Sequence, residues 1–399
     1  MRRVGFLLLL FFCLAKAASA QITVRGVARD SLTHEPLGFA SVFLANTTYG
    51  ATTDAQGRFE LRGVAAGPYE LLVSYLGYQL YRKAILVQDK SLTVNPQLLP
   101  TAQQLAEVVV RPHKNNPDDY RTFEEYFLGS TTFSQQCRIR NPDDVLVDYD
   151  PQAKELTATS RDFVLVENRA LGYRVKYYGL HFSVDFKRQF VQFYGSPVFE
   201  EMRARNARQQ RRWADNRRQA YHGSQIHFLR SVYENRVEDQ GFRVQKLRIV
   251  DNPRRARADS IMQHLLATLP PGQSLVLPDS LQRQRQEPRS YGYLYTRPLP
   301  IDSLRQLVAD TCQLRFHDLL QITYLPEKPD PRYRPEVPGQ LQPGPAPTEE
   351  VSTLYLQVPS VQIFPNGRLA HPLAIYNDGY WGFEKMGEML PYDYIPPKQ

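Results

Sequence analysis

The first hundred residues alternate short apolar and polar runs with turn residues. In "RFELR", Phe59 and Leu61 alternate with charged neighbours, and in "YELLVSY" the residues Tyr69, Leu71 and Val73 share one face. Gly, Pro, Asn or Asp separate such runs at roughly ten-residue intervals, which is typical of an antiparallel β-sandwich. We therefore predict strands near residues 22–28, 39–45, 49–53, 58–62, 69–75, 80–88, 91–98 and 105–110.

The segment "DAQG" at residues 54–57 is the clearest turn between two of these strands. Asp54 can accept hydrogen bonds from the backbone that follows it, and Gly57 can adopt a positive φ without steric cost. These side chains serve a turn and carry no chemistry of their own.

The rest of the chain mixes helical and strand patterns. A helix is predicted at residues 123–128, a helical block at about 200–236, and a hairpin around Asn366-Gly367, with Val-, Phe- and Tyr-rich strands between them. The predicted organisation is a sandwich at 21–110, a linker at 111–122 and a domain at 123–399, with a proline-rich flexible excursion at 326–350. The fold class is therefore mainly β, with an α+β second domain.

Residues 1–20 have the pattern of a cleaved signal peptide. Arg2 and Arg3 precede an apolar run over residues 4–14, and Ala18-Ser19-Ala20 supplies small residues for cleavage before Gln21. A short membrane anchor is the alternative, but a spanning helix needs about 20 apolar residues. No later segment reaches that length, so we expect an exported mature chain without a transmembrane segment.

The chain carries a formal net charge of +8 and has a pI near 9.2. An exported protein rarely meets nucleic acid, so we exclude that partner. Acidic glycans or anionic lipid headgroups of the envelope are the better candidates for a basic surface, and a partner protein stays open.

Two cysteines remain after the predicted cleavage, Cys137 and Cys312. In an oxidising compartment they are expected to form a disulfide, and two buried thiols that never meet are the alternative. With at most one bridge, hydrophobic cores must stabilise the fold.

The most distinctive segment is "RARNARQQRRWADNRR", in which Asp215 is the only acidic residue. If helical, it places arginines on both sides of Trp213. The segment is either a solvated helix face or an anion-binding helix, because guanidinium groups suit phosphate and carboxylate. The candidate anion-binding residues are Arg203, Arg205, Arg208, Arg211, Arg212, Arg217, Arg218 and Trp213.

Catalytic motifs are missing from the sequence. A zinc carboxypeptidase needs a histidine with a glutamate three positions later, and none of the eight histidines has one. Nucleophile-elbow, P-loop and Cys-x-x-Cys motifs are also missing. We therefore predict no catalytic residue, metal or cofactor. The alternative is a hydrolase whose carboxylates the fold brings together from scattered positions in the second domain.

Aromatic residues are concentrated near the C-terminal end of the sequence. They could stack on sugars, or they could pack in the core of the second domain, and the latter interpretation is favoured. The residues are Tyr376, Tyr380, Trp381, Phe383, Tyr392 and Tyr394.

The segments "EPLGFASVF", "TTDAQGRFELRG" and "GPYELLVSYLGY" resemble the carboxypeptidase regulatory-like domain. The resemblance implies a transthyretin-like β-sandwich over about 90 residues. It implies no catalytic residue, because the domain is an accessory module in that family.

"FLGSTTFSQQCRIRNP", "ALGYRVKYYG" and "YWGFEKMGEMLP" resemble secreted bacterial proteins that carry this sandwich at their N-termini. Such proteins are common in Gram-negative bacteria that live on complex glycans. The resemblance implies this architecture and a location in the periplasm or the outer-membrane-associated cell envelope, but no chemistry. Together with the missing catalytic motifs, it leads us to predict a non-enzymatic binding or structural protein of the cell envelope.

Overall fold

The fold is described from a computed structural model, over residues 22–101, 115–270, 275, 277–309, 311–335 and 345–397. The predicted signal peptide and the predicted strand at 105–110 lie outside these residues. The chain divides into two compact units. The first comprises Met1–Arg111 with Val198–Glu200, and the second comprises Pro112–Pro197 with Glu201–Gln399.

The first unit is built from short strands in three sheets, ordered β4-β3-β6-β7, β5-β1-β8 and β2-β9. The strands are β1 (Thr23–Val27), β2 (Arg29–Asp30), β3 (Ser41–Leu44), β4 (Gly50–Thr52), β5 (Arg58–Arg62), β6 (Gly67–Ser74), β7 (Tyr81–Val87), β8 (Leu92–Thr93) and β9 (Gln97–Leu98).

One core takes side chains from both larger sheets. Val24, Phe59 and Leu61 come from one sheet, and Leu71 and Val73 come from the other. On β5 these apolar residues alternate with exposed charged ones, as the period of two requires. The sandwich predicted from this alternation is confirmed.

The turn at residues 54–57 forms as predicted. The Asp54 carboxylate accepts hydrogen bonds from the backbone N–H groups of Gln56 and Arg58, at 3.0 and 2.8 Å. Gly57 has φ 73°, and a Cβ at this position would lie 2.6 Å from the carbonyl oxygen of Ala28. The glycine is therefore required both by its backbone angle and by close backbone packing.

Two strand pairs of this unit are parallel, although the sequence predicted an antiparallel sandwich throughout. They are β1 with β8 and β2 with β9. Each pair is only two residues long and joins strands that are distant in sequence. Alternation within a strand predicts its buried face but carries no information about such partners.

The second unit contains the remaining strands and all helices of the described chain. Its helices are α1 (Pro117–Leu128), α2 (Ala207–Tyr221), α3 (Gln225–Tyr233), α4 (Pro253–Thr268), α5 (Asp279–Gln286) and α6 (Tyr380–Phe383). Its strands are β10 (Cys137–Ile139), β11 (Val145–Asp150), β12 (Glu155–Ser160), β13 (Phe163–Asn168), β14 (Tyr173–Asp185), β15 (Phe190–Glu201), β16 (Phe242–Asp251), β17 (Ser290–Pro298), β18 (Arg305–Val308), β19 (Thr311–Leu314), β20 (Leu319–Tyr324), β21 (Glu350–Leu356), β22 (Val361–Ile363) and β23 (Ile375–Gly379).

These strands form three sheets. A six-stranded sheet has the order β10-β13-β14-β12-β11, with β15 also paired to β14, and α1 lies against β11 and β12. The other sheets have the orders β17-β16-β20-β21-β23 and β18-β19-β22. The predicted α+β class is confirmed, since these sheets are combined with α-helices in one unit.

A second core lies under α3. Phe228, Leu229 and Val232 of this helix share a cluster with Phe242 and Trp381. The helix presents these residues at spacings of one, three and four, so they form one apolar side. This core includes side chains of the five-stranded sheet, and it positions the turn before α3.

The predicted helical block at about 200–236 is two helices preceded by a strand, β15. The block breaks at Gly223, where φ is 75°. A Cβ at Gly223 would lie 2.3 Å from Glu350 Oε2 and 2.8 Å from Tyr324 Cδ1. Residues distant in sequence thus fix the break, which is why helical periodicity did not reveal it.

The expected disulfide is not formed in this structure, which corrects the prediction. Cys137 and Cys312 are both buried free thiols, on β10 and β19 respectively. These strands belong to different sheets, and burial raises the pKa of the Cys137 thiol to about 12. Each thiol fills its own core instead of forming a bridge.

Candidate anion-binding sites

Helix α2 contains the arginine-rich segment. Asn206 is its N-cap, and its side chain accepts a hydrogen bond from the Gln209 backbone N–H at 2.9 Å. This bond satisfies a donor that the first helical turn would otherwise leave unpaired. The buried side of α2 consists of Trp213, Ala220 and Tyr221. Most of its arginines therefore project away from the core.

Trp213 belongs to the core and not to an external site, contrary to the sequence-based prediction. Its side chain is only 4% exposed, and its indole N–H donates to the carbonyl of Arg169 at 2.9 Å. The ring lies against Gly172, where a Cβ would approach it to 2.3 Å. The tryptophan attaches α2 to the turn after β13.

Arg217 also contributes to the fold. Its Nε donates to the carbonyl of Leu171 at 2.7 Å, and its Nη1 donates to Glu201 at 2.8 Å. The guanidinium lies 3.9 Å from the centre of the Tyr173 ring, within range of a cation–π contact. These contacts occupy the guanidinium, so Arg217 is removed from the candidate set.

The other predicted arginines are available to solvent. Arg218 forms an ion pair with Asp215 at 2.9 Å. The remaining five side chains form no ion pair within the described part of the chain; they are Arg203, Arg205, Arg208, Arg211 and Arg212. We call the three helical members, Arg208, Arg211 and Arg212, the arginine surface. Their spacings of one, three and four place them together on α2.

A second basic site, which the sequence analysis missed, lies between α4 and α5. Asp259 is shared by three guanidinium groups: its carboxylate lies 2.9 Å from Arg255 Nε, 3.4 Å from Arg285 Nε and 3.8 Å from Arg289 Nε. These residues line an open cleft of about 510 Å³. We call it the α4–α5 cleft.

Asn252 organises this cleft from the start of α4. Its side-chain oxygen caps the helix by accepting from the N–H groups of Arg254 and Arg255, at 3.0 and 3.3 Å. Its side-chain N–H₂ group lies 2.9 Å from Glu287 Oε2 and 3.0 Å from the Tyr291 hydroxyl oxygen. The Asn-Pro pair before "RRARAD" was the available sequence signal, because Asn and Pro are favoured at the first helical positions.

One buried carboxyl group, that of Glu350, and three half-buried ones, those of Asp330, Glu384 and Glu388, are close enough to Tyr380 or to one another to interact electrostatically. Burial, reinforced by neighbouring acids, raises the pKa of Glu350 and of Glu388 to about 8 and raises the pKa of Glu384 well above its usual range. Asp330 joins the group through its backbone N–H, which donates to the Tyr380 hydroxyl at 3.0 Å. At neutral pH Glu350 and Glu388 are therefore mainly protonated.

Glu350 is closed off from solvent. It is 6% exposed, and its Oε2 has no hydrogen-bond partner among the described residues. This oxygen faces the turn at Gly223, whose carbonyl accepts from the Trp381 indole N–H at 2.8 Å. A substrate would reach Glu350 only if this packing opened.

His227 is a buried neutral side chain. Its Nδ1 accepts from the Gly223 N–H at 3.2 Å, and its Nε2 lies 3.0 Å from Gln240 Oε1. Burial lowers the pKa of His227 to about 4. The ring holds the turn between α2 and α3 and is not arranged as a metal ligand.

The aromatic residues near the C-terminal end are mainly packing residues. Tyr380 and Trp381 are buried, and Trp381 belongs to the core under α3. For these two residues the core interpretation is confirmed, and sugar stacking would require displacing them.

Two features are missing from the residues that the structure describes. No group of three or more His, Cys, Asp or Glu side chains is placed to hold a metal ion. No helix in those ranges combines the length and apolar character that a membrane crossing requires.

Solved structures with similarity to the chain include the backbone protein of group B streptococcus pilus 2b. It has a TM-score of 0.18 and 21% identity over 20% of this chain and 41% of the other. A putative carbohydrate-binding protein from Bacteroides uniformis has a TM-score of 0.18 and 11% identity over 44% of this chain and 78% of the other. Scores this low support no functional inference.

Sequence comparisons give a firmer result for the first unit. Carboxypeptidase E of Caenorhabditis elegans is 34% identical over 94 residues, which are 21% of this chain and 20% of the relative. The chain thus covers about a fifth of that enzyme. The family model described as the CarboxypepD_reg-like domain matches residues 24–110. Residues 24–110 are therefore a carboxypeptidase regulatory-like domain.

Proposed function

We propose that the chain is a non-enzymatic binding protein of the bacterial cell envelope. Three features support this proposal: the signal-peptide pattern at residues 1–20, the regulatory-like domain, and the missing zinc-peptidase motif. An accessory domain attached to a second, basic unit suits a protein that holds a ligand rather than one that converts it.

The arginine surface is the observation that carries the proposal. Arg208, Arg211 and Arg212 place three positive charges on one helix, and the described residues supply none of the three with a carboxylate. Like charges three or four residues apart on a helix, as in the Arg208–Arg211 and Arg208–Arg212 pairs, oppose helix formation by about 0.2–0.5 kcal/mol per pair. An external anion would offset this repulsion.

The ligand is an acidic envelope component, either a glycan that carries carboxylates or an anionic lipid headgroup. Guanidinium groups donate paired hydrogen bonds to carboxylate and phosphate, and three of them can contact several acidic groups of a repeating surface. Attraction between exposed charges is screened beyond about 8 Å at physiological ionic strength. Binding should therefore depend strongly on salt.

The test uses a triple variant, R208Q/R211Q/R212Q. Binding is measured to phosphatidylcholine vesicles with and without phosphatidylglycerol, and separately to polygalacturonate. We expect the variant to bind the preferred acidic probe at least about tenfold more weakly, a change of about 1.4 kcal/mol. Raising NaCl from about 50 to about 200 mM should weaken the parent by a similar factor.

The matched control is R62Q/R121Q/R188Q, which removes the same formal charge from arginines already paired with Glu60, Asp118 and Asp185. It should retain binding within about threefold, because those charges are already compensated. Equal losses in the two triple variants would contradict a local site, and failure of the parent to bind either probe would contradict the proposal itself.

The alternative, a secreted hydrolase, is favoured by one observation, the buried carboxyl group of Glu350, whose Oε2 has no hydrogen-bond partner among the described residues and whose pKa burial raises to about 8. A carboxylic acid that keeps its proton at neutral pH suits a general acid. Its burial argues against that role. If E350Q and E388Q abolished a glycan- or peptide-hydrolysing activity of the parent without loss of folding, the hydrolase assignment would replace ours.

A further inference from the structure

The lining of the α4–α5 cleft is chemically mixed. It includes the guanidinium groups of Arg255, Arg285 and Arg289 as well as the apolar side chains of Met262 and Leu266. Leu266 is 58% exposed. Exposed leucine at the edge of a cleft leaves apolar surface in water, which a bound hydrocarbon would cover.

The three guanidinium groups have unequal roles. Arg255 is tied down twice, because its Nε donates to Asp259 and its Nη1 donates to the Glu287 carbonyl at 3.1 Å. Arg285 and Arg289 approach Asp259 only through Nε, at 3.4 and 3.8 Å. Arg255 therefore suffices to pair with Asp259, and the other two arginines exceed what the carboxylate needs.

Arg285 and Arg289 consequently keep donors for a ligand. An arginine side chain carries five N–H donors, and the described residues accept from the Nη groups of neither side chain. Both residues line the cleft, and Arg289 is among the most exposed side chains there, at 81%. The unused donors lie where a small anion could be contacted by both.

The charge balance also favours an anion. Residues 241–300 contain ten Arg and Lys but only four Asp and Glu. Asp251 and Asp259 both line the cleft, so its three arginines exceed its carboxylates by one. An incoming phosphate or carboxylate would neutralise that excess.

We infer that the α4–α5 cleft binds an anionic amphiphile. Arg285 and Arg289 hold its phosphate or carboxylate head, and Met262 and Leu266 cover the first carbons of its hydrocarbon chain. This inference goes beyond the proposed function, because it assigns a discrete pocket and does not depend on the arginine surface of α2.

The experiment is calorimetric titration of the full chain with decyl phosphate below its micelle concentration. Decanoate is titrated in parallel to distinguish a phosphate head from a carboxylate head. Inorganic phosphate tests the head alone, and decyl maltoside tests the tail alone. We expect one of the two charged amphiphiles to bind at least about tenfold more tightly than inorganic phosphate and than decyl maltoside.

Variants on α4, on α5 and in the segment just after α5 distinguish the site from an effect of general charge. R285Q/R289Q should weaken amphiphile binding at least about tenfold, whereas R257Q/R283Q, which removes equal charge from exposed positions outside the cleft lining, should change it less than about twofold. L266S should weaken decyl phosphate but leave inorganic phosphate unchanged. The single variant R289Q should fold normally, because the Arg289 side chain is mostly exposed. Weaker amphiphile binding by this variant therefore could not be attributed to unfolding.

Three results would overturn the inference. They are the absence of saturable binding of either charged amphiphile, equal losses in R285Q/R289Q and R257Q/R283Q, and decyl maltoside binding as tightly as decyl phosphate. The cleft variants leave the arginine surface intact, and R208Q/R211Q/R212Q leaves the α4–α5 cleft intact. Vesicle or glycan binding by R208Q/R211Q/R212Q therefore tests the proposed function separately from this inference.

Discussion

The arginine surface and the α4–α5 cleft are both basic, but their arginines are placed differently. On α2, Arg208, Arg211 and Arg212 form no ion pair among the described residues. Between α4 and α5, Arg285 and Arg289 are oriented by Asp259 and lie beside apolar side chains. We propose that the first arrangement binds extended acidic surfaces and that the second binds a small molecule.

This difference shows that the number of arginines in a segment does not reveal what they do. The α2 segment stands out in the sequence, yet Trp213 and Arg217 within it serve the fold. The lining of the α4–α5 cleft is spread over 39 residues of sequence, from Asp251 to Arg289. The role of an arginine depends on whether it has a carboxylate partner and on whether apolar side chains lie beside it.

The largest expected effect concerns the inner side of α2. W213A should destabilise the chain by about 3–5 kcal/mol, because it removes a buried ring and leaves a cavity against Gly172. Urea denaturation followed by circular dichroism measures the change. R212A on the outer side should stay within about 0.5 kcal/mol of the parent. A similar loss in both variants would mean that the two sides of α2 do not differ as described.

The next prediction concerns the pH dependence of stability, which we attribute to Glu350 and not to either basic site. Glu350 has its pKa raised to about 8, so its contribution to stability is complete below the ordinary value of 4.5 and is lost as pH rises through 8. E350Q cannot ionise, so at pH 8 it should be more stable than the parent by roughly 4 kcal/mol, and at pH 5 the two should agree within about 1 kcal/mol. Thermal melts between these pH values provide the measurement.

Other buried groups define the useful pH range of that experiment. His227, with a pKa lowered to about 4, contributes stability that is lost as pH falls below 6.5, and Lys385, with a pKa lowered to about 8, adds its own dependence above pH 8. Between pH 6.5 and 8 the carboxyl groups dominate. If the stability of E350Q and that of the parent changed with pH in the same way, Glu350 would not be the group responsible for the pH dependence.

The smallest expected effect lies at the centre of the cleft. D259N should cost about 1 kcal/mol of stability, because a charge-assisted contact with Arg255 becomes a neutral one. It should also strengthen decyl phosphate binding about threefold, since a competing negative charge is lost. Calorimetry and urea denaturation check the two changes. Weaker amphiphile binding in D259N would indicate that Asp259 holds the arginines in place more than it competes with the ligand.

The sequence predicted the first unit well because its signals are local. Strand β5 occupies residues 58–62 as predicted, since Phe59 and Leu61 alternate with charged residues and the turn at 54–57 fixes its start. The regulatory-like domain was recognised from these same segments. The short parallel pairs escaped prediction because their partners are far apart in the chain. The strand predicted at 91–98 is two separate strands, β8 and β9, and β2 was not predicted.

The candidate sites were less predictable because distant residues create them. The partners of Trp213 are at residues 169–172, so its burial cannot be read from the helix alone. Helix α4 has a weak apolar pattern, with Ile261 and Leu266 exposed, so residues 251–300 gave little periodic signal. Asp259 becomes a shared partner only once α5 brings Arg285 beside it.

Strand β17 has a consequence for handling the protein. It lies at the edge of its sheet, with side chains exposed on both faces, including Tyr291, Tyr293 and Tyr295. The backbone N–H and C=O groups along such an edge can pair with a strand from another molecule, and Gly292 and Pro298 are the residues that weaken it for that pairing. Concentrated stocks will therefore associate through this strand first, and G292V should accelerate precipitation on storage.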